Sequence, residues 1–543
     1  MNSEQKPSSG QPSSFWRSGR PLFTWPRVRR GLLALLWLAT LIALFYAEED
    51  WRGRHAWRNY SQQLQVRGTP VGLAPLIPKP VPDDQNFAMT PLLAPLFDFV
   101  PGTQQWRDKS AVTAVQDPLP DYKDASGKVK EHQEGDWARG QSIDLAGWAN
   151  AYEPTMSKPT AFTNRADAAR ALLVDLQEWT LLLKEIQRAS ERPYARFNIR
   201  YEEENTPSIL LPHLAVLKRY VQVLKLRASA ELANGQSAPA LEDIELAIKV
   251  ANSIKDEPIL ISTLVRMSEL QLVLQPVWEG MAAGSWTPEQ LKDLQLKLSE
   301  FDILTDARRA FDDDRGALGN PCIEFVRRAP SQHADAIGLF DSANTGTEYA
   351  PFAEVFLRLI PSGWFYQEQV EYNRIYDQLV MPLIDTKNRL VSPELASHNQ
   401  HELQQLLEGD PLTLTLHHRL FARLLVPAVS NLAPKVARTQ TAVDLAVTAC
   451  SLERFRLEKG HYPDELNLLV PAYLAKVPND VIDGKPLRYR KEGQRFALYS
   501  VGWNAQDNGG QFPGKPEGGR EFKRGIESAP AEAGDWVWRY PAS

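Results

Sequence analysis

The sequence has little cysteine and no surplus of positive charge. The 543-residue chain contains two cysteines, Cys322 and Cys450, so a disulfide framework does not support its fold. Two buried, reduced thiols are the favoured interpretation, and one bridge between them is the alternative. With 61 Lys and Arg against 67 Asp and Glu, the formal net charge of −6 predicts no binding to nucleic acid.

Familiar catalytic motifs are missing as well. The chain contains no Gly-x-Ser-x-Gly elbow, phosphate-binding P-loop or dinucleotide glycine fingerprint. His398, His401 and Glu402 do not have the spacing of a metalloprotease pair, and no paired cysteines follow His132–Glu134. Three consecutive aspartates, Asp312–Asp314, point about 100° apart on a helix and predict a solvated face. No catalytic residue is predicted, which favours a non-enzymatic role.

One apolar run stands near the N-terminus. Gly31–Ala47 holds 17 residues without a charge, which is about 25 Å of helix and enough to cross a bilayer. Trp25 and Trp51 bracket the run, five arginines precede it and three acidic residues follow it. A bulky Phe45 near the end of the run argues against cleavage as a signal peptide. An uncleaved anchor is predicted, with the N-terminus in the cytoplasm and the bulk of the chain in the periplasm of a bacterial inner membrane.

Composition divides the chain into six segments. They are a basic cytoplasmic tail over 1–30, a transmembrane helix over 31–47, a helical stalk over 48–68, a proline-rich extended arm over 69–160, an α-helical domain over 161–433 and an α+β module over 434–543. The fold class is therefore mainly α, with an anchor helix, an irregular helical array and a small terminal module.

The arm is rich in proline but is too apolar for a simple linker. Ten of the 40 prolines lie between Pro70 and Pro120, which predicts that this stretch is not helical. Its apolar residues predict packing on the body; they are Phe87, Met89, Leu92, Leu93, Leu96, Phe97 and Phe99.

Helical periodicity dominates from about Asn164 to Gly460. Asn164 is a suitable cap for the first helix, and a second runs from about Pro212 to Ala233 and stops at Gly235. Further helices are predicted over about 240–254, 259–283, 288–300, 305–328, 364–384, 401–408, 414–430 and 434–459. The stretch Ala228–Ala251 is similar to one helical hairpin of a tetratricopeptide repeat, and an irregular bundle is the alternative.

The last hundred residues change to a β pattern. A helix ends at Gly460, and Leu487–Arg490 and Arg495–Ser500 are predicted to form a hairpin, with a last strand over Trp536–Tyr540. The order Lys-Gly-His-Tyr-Pro from 459, Leu-Val-Pro from 469, Asp-Gly from 483 and Tyr-Ser-Val-Gly from 499 resembles the globular head of the major pseudopilin of type II secretion systems. Large single-pass bacterial membrane proteins with this ending are similar over a greater length.

The resemblance implies a fold and a metal site, but not the family's assembly. Pseudopilins bind calcium in the loop after Tyr-Ser-x-Gly; the matching positions here are Asn504, Asp507, Asn508 and Asp535, and the alternative is a polar loop that only turns. A prepilin peptidase site should precede the apolar helix, yet Arg27–Arg30 stands there instead. Polymerisation into a fibre is therefore not expected.

These observations favour a membrane-anchored extracytoplasmic protein that binds or organises another component. Its expected partners are the lipid bilayer, through the N-terminal helix, and an unidentified extracytoplasmic protein. One alternative is an extracytoplasmic hydrolase whose carboxylates come from distant helices. Another is an accessory component of a secretion or pilus-like apparatus.

Overall fold

A computed structural model describes residues 25–116, 134–152, 162–201, 209–330, 357, 359–511 and 534–540. The protein is mainly helical, with an N-terminal apolar helix and one small antiparallel sheet, as the sequence predicts. The tail residues 1–24 and His132 lie outside the described residues.

The α-helices within the described residues are numbered in chain order. They are α1 Trp25–Val66, α2 Lys109–Gln116, α3 Leu145–Tyr152, α4 Arg165–Asp175, α5 Thr180–Ala189, α6 Pro212–Ala233, α7 Ser237–Asn252, α8 Leu260–Ala282, α9 Pro288–Ser299, α10 Ile303–Asp314, α11 Asn320–Arg328, α12 Ser362–Ile375, α13 Pro393–Leu407, α14 Pro411–Leu416, α15 Leu420–Ser430 and α16 Ala433–Lys459. The strands are β1 Arg488–Glu492, β2 Arg495–Ser500 and β3 Trp536–Arg539.

Capping residues fix several helix ends where the sequence predicts them. The Asn164 side chain accepts the N–H of Asp167 at the start of α4, and Thr287 forms a capping box with Gln290 at α9. At the end of α16, Gly460 takes the left-handed conformation with φ of 82°. The helix ends are thus read correctly from local chemistry.

Three predicted helices are interrupted: the one over 414–430 is divided at 417–419 into α14 and α15, and two others contain a π-helical turn. A π-helical turn at Arg315–Gly319 separates α10 from α11, and a second at Tyr376–Val380 follows α12. A π turn inserts one residue into the helical register and often marks a functional or strained position. The apolar spacing on which the helix predictions depend does not reveal such an insertion.

The proline-rich arm packs on the body, as predicted, through short 3₁₀ turns. Phe87, Leu93, Leu96 and Phe97 are buried in the main core. The prediction that no helix forms between Pro70 and Pro120 is wrong for α2, because a run without proline allows one helix there.

The centre of the helical body is the group α6, α7 and α8. Helix α6 packs on both others, and Gly235, with φ of 78°, turns the chain between α6 and α7. Helix α16 packs on α8 and α9 and joins the terminal module to this core. The tetratricopeptide-like character of this hairpin stays a prediction.

The terminal sheet has the order β1-β2-β3, with both pairs antiparallel. Leu498 pairs with Trp538 across β2 and β3, and both side chains are fully buried. Helix α16 contacts β2 and β3 from the core side. The predicted hairpin and last strand are confirmed; the pseudopilin-like assignment is not tested by them.

Both cysteines are free and buried, as favoured, and burial raises the pKa of the Cys322 thiol to about 12. The prediction of a solvated face at Asp312–Asp314 is wrong for Asp314. Its side chain is buried and its pKa is raised to about 7 by that burial and by neighbouring Asp313. Asp314 lies on the face of α10 that also buries Ala307, Ala310 and Phe311, so the regular helical period places it in the core.

Candidate functional site

Among the residues that the structure describes, two helical segments are long and apolar enough to cross a membrane. Within Val28–Val66, no part of the most apolar window is buried in the protein, whereas half of that window is buried for Leu420–Lys459. The first is therefore the candidate membrane span, and the second is accounted for as core.

The predicted stalk is one continuous helix with the apolar run, and it lies along the body. One face of α1 carries the residues that are buried or half-buried; these are Tyr46, Glu49, Asp50, Gly53, Ala56, Trp57, Tyr60, Ser61 and Leu64. Their spacing of three and four residues is that of one helix face. Helix α12 is the main element packed against this face.

Two glycines allow α1 and α12 to cross in backbone contact. A Cβ atom on Gly53 would overlap the carbonyl oxygen of Gly363, and one on Gly363 would overlap that of Glu49. Polar groups around the crossing are paired: Asp50 Oδ1 accepts the N–H of Gly363 at 2.6 Å, and Glu49 Oε2 accepts the indole N–H of Trp364 at 3.0 Å. The crossing therefore requires glycine at both positions.

The contact between α1 and the body begins inside the apolar run. The hydroxyl of Tyr46 donates to the carbonyl of Leu359, whose side chain is 62% exposed. Because Tyr46 is the second-last residue of the run, no spacer separates the lipid-compatible part of α1 from the body. Leu359 consequently lies at the level where a bilayer would end.

The far end of α1 is tied to the two π turns. Tyr60 donates to Asp377 Oδ2 at 3.1 Å, and Arg67 lies 3.4 Å from the same carboxylate. Arg315, which is 1% exposed, pairs with both Asp377 and Asp312. This charged junction fixes the upper part of α1 against the core.

A buried Ser, Glu and His lie in hydrogen-bond contact between α6 and α8. Ser262 donates to Glu257, whose other oxygen lies 2.8 Å from His213 Nε2. Serine hydrolases place the histidine in the middle, because it must take the serine proton. Here the carboxylate is in the middle, and His213 stacks on Phe197 with ring centroids 4.2 Å apart. The order of the three groups therefore differs from that of a serine hydrolase triad.

A polar cavity of about 220 Å³ lies between α5, α6 and α7. Arg227 binds Asp243 through two guanidinium nitrogens, one at 2.6 Å. One turn later on α6, Glu231 is 9% exposed, and no donor among the described residues reaches its Oε2. Burial, and then the Asp243 charge, raise the pKa of Glu231 to about 8.

Sequence reasoning missed this cavity, although it lies within the hairpin already singled out. The available signal is a pair of opposite charges four residues apart, Arg227 and Glu231, in a helix whose neighbouring residues are apolar or small. Charged residues in such a helix are rarely buried without a partner, so the position merits attention.

A second cavity, of about 200 Å³, adjoins the terminal module. Its buried Lys225 lies 2.7 Å from Glu134 Oε2, which continues directly from residues outside the described part of the chain. Gln271 and Gln275 form another wall. Lys225 thus has a carboxylate partner, whereas Gln271 Nε2 is buried without an acceptor among the described residues.

The structure brings the four predicted calcium residues into one loop. The Asp535 carboxylate accepts the N–H groups of Asn508 and Gly510 at 3.1 and 2.6 Å. Asp507 accepts the Tyr499 hydroxyl, and the Asn504 amide donates to Asn508. These bonds shape the loop, and over the described residues no three His, Cys, Asp or Glu form a metal-binding group. Calcium binding stays a prediction.

Comparisons with family models, with curated proteins and with solved structures find no match to this chain. The resemblance of the last hundred residues to a pseudopilin head therefore stays a prediction. Function is argued below from the anchor crossing and the cavities.

Proposed function

We propose that the protein is a membrane-anchored binding or scaffold protein that holds its helical body directly on the outer surface of the inner membrane. The observation that carries the proposal is the contact between Tyr46 and Leu359, which starts within the apolar run. A flexible tether would leave a spacer between lipid and body, whereas α1 is packed on α12 from this level upward.

The crossing of α1 and α12, with its hydrogen-bonded polar groups, favours a scaffold role over an enzymatic one. Glycine contact and satisfied polar groups make a fixed support, which suits presentation of a surface at constant height. The five arginines before the run favour a cytoplasmic N-terminus, so the body lies on the opposite side.

A topology assay tests the location. A reporter active only outside the cytoplasm, fused after residue 543, is expected to give signal, and a cytoplasm-only reporter at the same place is expected to give none. The reverse pattern would contradict the proposal. Purified full-length protein should also need detergent to stay in solution.

Spin-label depth measurement tests the seating of the body. A nitroxide on Leu359→Cys in lipid nanodiscs should be more accessible to oxygen than to a water-soluble nickel chelate. Leu181, 82% exposed on α5, gives the matched label position and should show the opposite preference. The two native cysteines are buried and should not compete for the reagent. Equal accessibility at both positions would contradict direct seating.

Partner capture tests the binding role. Detergent extracts from source cells should yield the same extracytoplasmic protein in repeated purifications, in contrast with an unrelated single-pass control. Repeated recovery of nothing specific would count against a scaffold. Recovery of pseudopilins would favour the secretion-apparatus alternative.

The hydrolase alternative receives less support from the cavity chemistry. Paired-carboxylate hydrolysis needs two acids with separate roles. In the cavity of α5, α6 and α7, the Asp243 carboxylate is engaged by Arg227, and Glu231 is the buried acid whose oxygen lacks a donor among the described residues. Besides the exposed Glu242, the cavity therefore holds one buried carboxyl group that is not engaged, which suits binding better than hydrolysis.

A further inference from the structure

We propose that the cavity between α5, α6 and α7 binds a cationic group, a primary ammonium or a guanidinium on a short aliphatic chain. The inference rests on the proposed binding function and names the chemistry that the partner would present. The charged lining consists of Lys184, Arg227, Glu231, Glu242 and Asp243, which is one more acid than base.

The hydrogen bonds inside the cavity leave one carboxyl oxygen of Glu231 without a donor from the described residues. Arg227 directs two nitrogens at Asp243, and its Nε lies 3.9 Å from Glu231 Oε1. The other oxygen of Glu231 receives no donor from the part of the chain that the structure describes. A buried carboxyl oxygen in this position is satisfied by an incoming N–H group.

The remaining walls select the shape of the ligand. Leu183, Pro239 and Leu246 supply apolar surface next to the acids, which suits methylene groups behind a charged head. Calcium would need about six to eight oxygens, and with Asp243 engaged the cavity does not supply that shell.

Binding of a cation should be coupled to loss of a proton. The groups facing Glu231 are Arg227 on α6, Asp243 and Glu242 on α7, and Lys184 on α5. Burial raises the pKa of Glu231 to about 8, so its carboxyl is mostly protonated at pH 7. An ammonium or guanidinium beside it favours the carboxylate, and the proton leaves to solvent.

Calorimetry on the full-length protein in detergent tests the proposal. The probes are butylammonium chloride and methylguanidinium chloride, with 1-butanol as the neutral control. Both cations should bind and release close to one proton at pH 7, shown by heats that differ between phosphate and Tris buffers. Butanol should bind at least about tenfold more weakly.

Matched variants distinguish binding in the cavity from an effect of the protein's overall negative charge. Glu231→Gln keeps the side-chain shape and should weaken cation binding at least about tenfold and abolish proton release. Glu300→Gln removes the same charge from an exposed position after α9 and should change neither. Lys184→Gln, which removes a repelling charge from the wall, should strengthen binding severalfold and serves as the second test if Glu231→Gln fails to fold.

Two outcomes would overturn the proposal: equal heats in the wild type and Glu231→Gln, or butanol binding as tightly as the cations. Because the assay uses small probes on the isolated protein, its failure leaves the topology, seating and partner-capture tests of the proposed function unaffected. Failure of those tests would in turn leave the cavity result standing.

Discussion

The crossing of α1 and α12 and the cavity between α5, α6 and α7 are built in opposite ways. At the crossing, backbone meets backbone at Gly53 and Gly363, and Glu49 is buried with donors supplied by α12. Between α5, α6 and α7 a space of about 220 Å³ remains, and a buried oxygen of Glu231 has no donor among the described residues. The helix crossing has no free space and its polar groups have hydrogen-bond partners. The cavity has free space and a carboxyl oxygen to which no described residue donates.

This difference suggests that one region holds the body in position and that the other binds a ligand. A helix contact that has no free space and no unpaired hydrogen-bonding groups keeps the two helices in place and tolerates few substitutions. A ligand that donates a hydrogen bond to an unpaired acceptor in a cavity stabilises the folded protein further. We therefore assign positioning to the crossing and ligand contact to the cavity, and substitutions in each should behave accordingly.

The largest effect is expected at the crossing. Gly53→Leu inserts a side chain where even a Cβ overlaps the backbone of α12, so the helices must separate. We expect a loss of about 3 kcal/mol in the free energy of unfolding, measured by thermal denaturation in detergent. Gly31→Leu makes the same change on the same helix, where nothing lies within 4 Å, and should have little effect. Equal stability of the two variants would show that the crossing is not required.

A smaller effect, dependent on pH, is expected at Glu269 on α8. Its buried carboxylate has no partner among the described residues, and burial raises its pKa to about 8. The unfolded state loses this proton near the ordinary pKa while the folded state keeps it, so stability falls as pH rises from about 4.5 to about 8.

Glu269→Gln removes this contribution. Relative to the wild type, the variant should be similar near pH 4 and more stable by about 2 kcal/mol at pH 9. Melting temperatures at both pH values measure the difference, with the exposed Glu300→Gln as control. A constant offset at all pH values would show that Glu269 has an ordinary pKa.

The smallest effect concerns the terminal loop. Asp535→Ala leaves the N–H groups of Asn508 and Gly510 without their acceptor and should cost about 1 kcal/mol. If calcium binds here, calorimetric titration should give heat in the wild type that both Asp507→Ala and Asp535→Ala lose, and magnesium should not replace it. The same weak heats in all three proteins would end the calcium hypothesis.

Local signals in the sequence predicted much of the fold. Asn164, Thr287 and Gly460 cap their helices by interactions within a few residues, and such interactions depend little on distant contacts. The hairpin of β1 and β2 follows from alternation and a short turn in the same way.

The features missed by sequence reasoning depend on tertiary geometry. A π turn at Arg315–Gly319 adds one residue to the helical register, which the regular helix period does not show. Gly53 and Gly363 lie 310 positions apart, and only the packed structure brings them together. The role of Glu231 depends equally on which groups α5 and α7 place around it.

The continuity of α1 has a mechanical consequence. Its 42 residues run without a break from the apolar run to the charged junction at Tyr60, so no swivel exists between the two ends. The rotation of the body about the axis of α1 is consequently fixed relative to the apolar part of the helix. If one of them turns about this axis, the other turns with it. One residue inserted after Ala47 would turn the body by about 100° around the helix axis; the contacts of α1 beyond the insertion would remain, and the contact of Tyr46 with Leu359 would be lost.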